Sequence, residues 1–150
     1  MHKVLQRPRA GMTLVEVMVA VVILLVAVIG ILYSYVKAIE LNAIGQGAVI
    51  ATHAVKNKIE QIKSCTFAQI VPTYDNTTFT VAGINGKGVV YIDNSNAQLL
   101  KVKVVVCWKL GNGRLIGEDK NLNGQVDAGE DTNGNGELDS YVQIITQIYG

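Results

Sequence analysis

Residues 12–36 read MTLVEVMVAVVILLVAVIGILYSYV, and this stretch decides the fold. Residues 17–36 contain no charged residue and no proline. As a helix, twenty residues rise about 30 Å, the thickness of a bilayer core. Tyr33 and Tyr35 stand at the far end, where amphipathic rings favour the interface. Lys3, Arg7 and Arg9 precede the run with no acid among residues 1–11. That asymmetry predicts a cytoplasmic N-terminus, a single membrane pass and an exported remainder. A buried core helix would explain neither the length nor the flank. Residues 33–40, YSYVKAIE, offer no small-residue cleavage site, so an ordinary secretory signal fits badly and an uncleaved anchor fits better. One residue is anomalous. Glu16 sits at the start of the apolar stretch, where a carboxylate is costly and marks function.

Composition supports the same layout. The chain has 150 residues, 49% hydrophobic and only 17% charged, with mean hydropathy +0.30. Such a chain is no disordered tail, and its net charge of +1 provides no general field for nucleic acid. Two cysteines exclude a disulfide-dense scaffold, and two histidines leave little room for His-based chemistry. Charge is unevenly placed. Residues 118–139 hold seven acids against Lys120 alone, a net charge of −6.

The residues around Glu16 are Arg9-Ala10-Gly11-Met12-Thr13-Leu14-Val15-Glu16. A basic leader ends in Gly11, an apolar residue follows, and Glu lies five positions after the Gly. This resembles the type IV prepilin signal, whose usual form is G-F-T-L-x-E, with Met12 in place of the Phe. The resemblance implies a fold and a mechanism for a pilin or type II secretion pseudopilin subunit. Prepilin peptidase, a membrane aspartyl enzyme, would cut between Gly11 and Met12 and methylate the new terminus. The helix of residues 12–36 would stay, first as membrane anchor and then as filament core. Glu16 would meet the terminal amine of a neighbouring subunit's Met12, pairing two charges costly in isolation. The competing reading of Glu16 is a carboxylate reaching for the headgroups from a plain anchor.

Beyond the stem, residues 37–150 are expected to form a pilin-like head. The helical pattern continues over 37–64, with Ile44, Ala48, Ala51, Val55, Ile59 and Ile62 as one apolar stripe. Gly45 and Gly47 weaken it and are expected at a bend. His53 reads as a surface or packing residue. Strands are expected at 77–81, 89–92, 100–108 and 141–149, with a turn over 83–88. Lys101, Lys103 and Lys109 alternate with apolar residues and read as a solvated sheet face. The fold class is α+β: a long helix packed on a small antiparallel sheet spanning 77–109 and 141–149. Cys65 and Cys107 lie outside the cytoplasm, where a disulfide can form. A bridge requires residues 66–76 to fold over the lysine face, so two free thiols remain the alternative.

The acidic segment carries a metal motif. Residues 119–130 fit D-x-[DN]-x-[DN]-G-x5-E at every specified position. Asp119, Asn121 and Asn123 provide side-chain oxygens, and Gly124 makes the sharp turn. Gln125 offers its carbonyl, Asp127 binds directly or through water, and Glu130 closes the sphere with both oxygens. Val126 is expected to turn into the core. A second copy follows with Asp131, Asn133, Asn135, Gly136, Glu137 and Asp139, but its closing position is Val142. Calcium is the expected cofactor, with an Asn/Gly/Asp-rich turn as the competing reading. Strand signals on both sides, rather than a helix pair, favour a static structural site. Similar calcium loops occur in pseudopilins and some pilins, in keeping with the resemblance. Nothing in the sequence groups a nucleophile, base and oxyanion donor, so no enzyme is expected. The expected partners are prepilin peptidase, other pilin subunits and the inner membrane, with no nucleic acid. The second reading is an uncleaved, membrane-anchored calcium-binding domain that builds no filament.

Overall fold

The computed structural model describes residues 11–150. The leader's basic residues, Lys3, Arg7 and Arg9, lie outside them. The chain divides into two compact units, one reaching to Leu41 and the other Asn42–Gly150. Helix α1, Leu14–Lys63, is unbroken across the division, through Gly45 and Gly47.

In the first unit, residues 11–39 are all exposed. Large apolar side chains make up most of that surface, from Met12 at 70% to Leu32 at 59%. An 18-residue window of α1 reaches a mean hydropathy of 3.1, long and apolar enough to cross a membrane. Soluble surfaces do not carry a patch of this size without a partner phase or partner chain.

In the second unit the remainder of α1 buries Gly47, Ala51, Val55, Ile59 and Ile62, a helical stripe. Ile44 and Ala48, at the head of the expected stripe, are half-buried against the same core. Gly47 is dictated by close approach: a Cβ there would stand 2.5 Å from the indole Nε1 of buried Trp108. A second helix, α2, Phe67–Tyr74, lies within residues 66–76, where the sequence reading placed no element, and buries Ile70.

The strands are β1 Thr78–Val81, β2 Asn85–Asn96, β3 Leu99–Lys109, β4 Leu115–Ile116 and β5 Val142–Tyr149. They form one five-stranded antiparallel sheet in the order β1-β2-β3, with β4 and β5 both on the far edge of β3. The α+β expectation holds: a long N-terminal helix packs on a small antiparallel sheet. β2 is far longer than the expected 89–92 because its glycines belong to the strand. A Cβ at Gly88 would run into the Phe79 ring on β1.

The core has two layers. One face of the sheet (Val90, Ile92, Val102, Val104, Val106 and Trp108) packs on α1. The other face carries a smaller cluster of Val89, Tyr91, Val105, Cys107 and Leu138, with Leu122 against it. The segment between β4 and β5 supplies Leu122 and Leu138. β3 is therefore buried on both faces from Val102 to Trp108. This corrects the solvated lysine face: Lys101 and Lys109 are exposed, but Lys103 is only 8% exposed. Val126 is also corrected. It is 37% exposed, and Leu122 and Leu138 are the loop residues that turn inward.

Candidate functional site

Two regions carry the sequence-predicted site residues. At the start of α1, Gly11 and Met12 are exposed and precede the helix. No other described residue comes within 4 Å of where a Cβ at Gly11 would stand. The fold thus gives position 11 no steric reason to be glycine. Thr13 caps the helix, its Oγ1 accepting the backbone N–H of Glu16 at 3.3 Å. Glu16 occupies the first turn, where the positive end of the helix dipole favours a carboxylate. Thr-x-x-Glu before an apolar run is a helix-start signature that the sequence reading passed over.

The acidic segment is ordered by its own side chains. In the first loop both Asp119 oxygens accept backbone N–H groups, from Asn123 at 3.1 Å and Gly124 at 2.8 Å. Asn121 Oδ1 accepts the N–H of Asn123, and Asn123 Oδ1 that of Gln125. Asp127 Oδ2 accepts the side-chain amides of Asn121 at 2.7 Å and Asn123 at 2.8 Å. Glu130 reaches back to the N–H groups of Lys120 and Asp127. Gly124 has φ +78, and a Cβ there would meet Thr78 on β1. Asp119 is fully buried and Glu130 is 3% exposed.

The second loop repeats the pattern. Asp131 accepts from Gly134, Asn135 and Gly136; Asn133 and Asn135 each accept two residues on. Asp139 Oδ2 takes the amides of Asn133 and Asn135 at 2.7 and 3.0 Å. The N–H of Gly136 and its neighbours holds the Asp131 carboxyl below its ordinary range. A cation comes from the sheet: Lys103 Nζ lies 2.6 Å from Asp139 and 3.0 Å from Glu137. Burial works against the charge of Lys103, but these two carboxylates outweigh it and its pKa is raised. Asp139 is correspondingly lowered, its burial outweighed by Lys103 and the two amides. Tyr91 stacks beside Lys103 and accepts the N–H of Leu138 at 3.0 Å, fixing the loop to β2.

The structure therefore brings Asp119, Asn121, Asn123, Asp127 and Glu130 into one loop, and Asp131, Asn133, Asn135 and Asp139 into another. Among the described residues no group of three His, Cys, Asp or Glu side chains is gathered tightly enough to hold a metal ion. At each Asp127 or Asp139 Oδ2 the Asn amide nitrogens stand where a cation would compete. Glu118 was missed by the sequence reading; its carboxylate accepts two N–H groups of the second loop. Cys65 and Cys107 are both free. Cys65 packs with the helix-side core beside Tyr74, while Cys107 is buried in the opposite cluster, so the sheet stands between them. Burial raises the Cys107 thiol pKa.

Residues 6–32 match the family model described as the prokaryotic N-terminal methylation motif, the signature of type IV pilin and pseudopilin prepilin signals. No curated protein and no solved structure matches the chain.

Proposed function

We propose that this chain is the precursor of a pilin or pseudopilin subunit, cut after Gly11, anchored by the first part of α1 and assembled into a filament through it. One observation carries the reading: the methylation motif over 6–32 runs into a helix whose apolar side chains are exposed from Met12 onward. Burying such surface is worth about 25 cal/mol per Å², so a bilayer or neighbouring copies of the helix are its natural setting. Gly11 fits the peptidase step, since a small residue there serves recognition rather than packing. Glu16 pairs with the amine that cleavage creates on a neighbour's Met12, which offsets the cost of both charges in an apolar core.

The head of this subunit is braced by calcium in the acidic segment. Glu118, Asp119, Asp127, Glu130 and Asp131 enter no ion pair among the described residues. Lys120 spends its ammonium on the Gly129 carbonyl. Burying ionised Asp119 and Glu130 without a cation is costly. An all-oxygen set of carboxylates, amides and carbonyls suits a hard cation of flexible geometry, which is calcium. With β4 and β5 as its neighbours, the site acts as a structural brace. Its residues are Asp119, Asn121, Asn123, the Gln125 carbonyl, Asp127 and Glu130.

The decisive experiment is the N-terminal mass of the chain made with a prepilin peptidase. Mature protein should begin at methylated Met12, and Gly11→Val should retain residues 1–11. An intact N-terminus on the wild type overturns the reading. Glu16→Val should insert and be cut yet stay out of filaments; normal incorporation would reduce Glu16 to a tolerated charge. Trp108, the single tryptophan, reports melting of the head. Millimolar calcium should raise that melting temperature over chelator, and Glu130→Ala should lose most of the rise. Equal responses would make the first loop a plain turn.

A further inference from the structure

The last strand has an open edge. Among the described residues β5 pairs with β3 alone. Antiparallel pairing turns the backbone groups of alternate residues toward and away from the neighbouring strand. The N–H of Gly150 donates to the Gln98 carbonyl at 3.2 Å, continuing the register in which Tyr149 stands opposite Leu99. Even-numbered residues of β5 therefore bond to β3. The N–H and C=O groups of Gln143, Ile145, Gln147 and Tyr149 point to the open side, and the side chains of these four residues are exposed. Natural sheets guard such an edge with lysine, proline, a bulge or a very short strand. Residues 141–149, YVQIITQIY, have no charge and no proline, and their register with β3 has no bulge.

The segment is close to a palindrome. Counted outward from Ile145, it reads Ile144 and Thr146, Gln143 and Gln147, Val142 and Ile148, Tyr141 and Tyr149. A second copy turned end for end meets it with matching chemistry at every rung. On the exposed face Tyr141 stands opposite Tyr149, Gln143 opposite Gln147 and Ile145 opposite itself. On the other face the β-branched Val142 and Ile148 are opposed, as are Ile144 and Thr146. Aromatic and β-branched pairs stabilise such rungs, and no like charges face each other. In this register the residues with free backbone groups become the hydrogen-bonded pairs. The other end of the sheet fits less well. The N–H of Val90 donates to the Thr77 carbonyl, so in the four-residue β1 only Thr78 and Thr80 turn their backbone groups outward.

We propose that β5 is a self-association edge: two copies of this chain pair β5 with β5, antiparallel and centred on Ile145, and join their sheets. The interface is isologous and closes at two copies. Its two-fold axis is normal to the sheet, so it reverses the part of α1 packed there along with the strands. Subunits of one filament share a direction. The pairing is therefore a contact between separate copies or separate filaments, and it stands independently of the filament reading. One strand edge is smaller than the about 800 Å² that each partner gives to a standard interface, so the dimer is weak and grows with concentration.

The test is cross-linking of the full chain in detergent by copper-catalysed air oxidation, with the linked residues mapped by mass spectrometry. Two thiols give one disulfide, and oxygen takes the two electrons and two protons. Residues opposed in a hydrogen-bonded pair have Cα atoms about 5.5 Å apart, within disulfide reach. Ile145→Cys should link to its own copy. Gln147→Cys should link to itself at least about tenfold more slowly, because the two copies of residue 147 stand four residues, about 13 Å, apart. Mixing Gln143→Cys chains with Gln147→Cys chains should restore the link. Adding Ile145→Lys to both members of that mixture should abolish it, since two ammonium groups then meet at the two-fold. Trp108 fluorescence checks that each variant is folded. Absence of a link at residue 145, equal rates for Ile145→Cys and Gln147→Cys, or a link that survives Ile145→Lys overturns the proposal. Preferential linking of Ile145→Cys to a Thr80→Cys copy overturns it as well, and gives the edge to β1 of a neighbour.

Discussion

Lys103 offers the sharpest check on how the acidic segment is held. Its ammonium lies 2.6 Å from Asp139 and 3.0 Å from Glu137, and its side chain is 10% exposed. Lys103→Met keeps an unbranched apolar stem and removes the ammonium, which stands over the Tyr91 ring. Two carboxylates then lose the one cation they pair with among the described residues. Deleting one partner of a fully buried pair costs about 3–5 kcal/mol. Glu137 and Asp139 are 39% and 23% exposed, so water recovers part of that. The expected loss is about 1–3 kcal/mol, a fall of about 5–15 °C in the melting temperature of a head this size. Lys101→Met is the control, since Lys101 is two residues away on the same face but exposed. It should shift melting by no more than about 2–3 °C. The assay is thermal unfolding followed by Trp108 fluorescence in chelator. Equal melting of the two variants would refute the reasoning and return Lys103 to the solvated surface.

Other outcomes follow from packing and thiol environment. Gly45 faces open space and Gly47 faces the Trp108 ring, so their Ala variants should move stability in opposite directions. Gly45→Ala should gain up to about 1 kcal/mol of helix propensity, and Gly47→Ala should lose about 1–2 kcal/mol net to overpacking, as read by the same melting curves. Cys107 is buried with a raised thiol pKa, whereas Cys65 is half-buried. Alkylation under native conditions, mapped by mass spectrometry, should label Cys65 well before Cys107; equal rates would contradict the second core layer.

The long helix was legible because hydropathy and a 3.6-residue period both run through it. The alternation of β3 and β5 was legible for the same kind of reason. What the sequence concealed was the covering of the sheet's second face. Val105 and Cys107 stood among the lysines of β3 as apolar residues on a nominally wet face, and that was the available signal. α2 was hidden by Pro72, which lies inside it, and by its shortness. β2 was cut short by glycines whose reason, the Phe79 ring, is tertiary. In the acidic segment the loop template picked out the residues that order the loops, but it scans forward from Asp to Glu. It passes over a Glu that precedes its loop, and so Glu118 stayed unread.

The acidic segment also has a topological character. Ile116 in β4 pairs with Trp108, and Val142 in β5 pairs with Val106. The chain leaves the edge of β3 and returns to it two rungs away. β4 and β5 run the same way along that edge, so residues 117–141 are an excursion with adjoining ends, and a short extended link could replace them without altering the strand order. Such a trimmed head would keep its sheet but show Val89, Tyr91, Val105 and Cys107 to water. Conversely, the excursion carries its own glycines, carboxylates and amides, and asks of a host only two neighbouring rungs and an apolar patch for Leu122 and Leu138. It is a transplantable part, suited to grafting onto the edge of another antiparallel sheet.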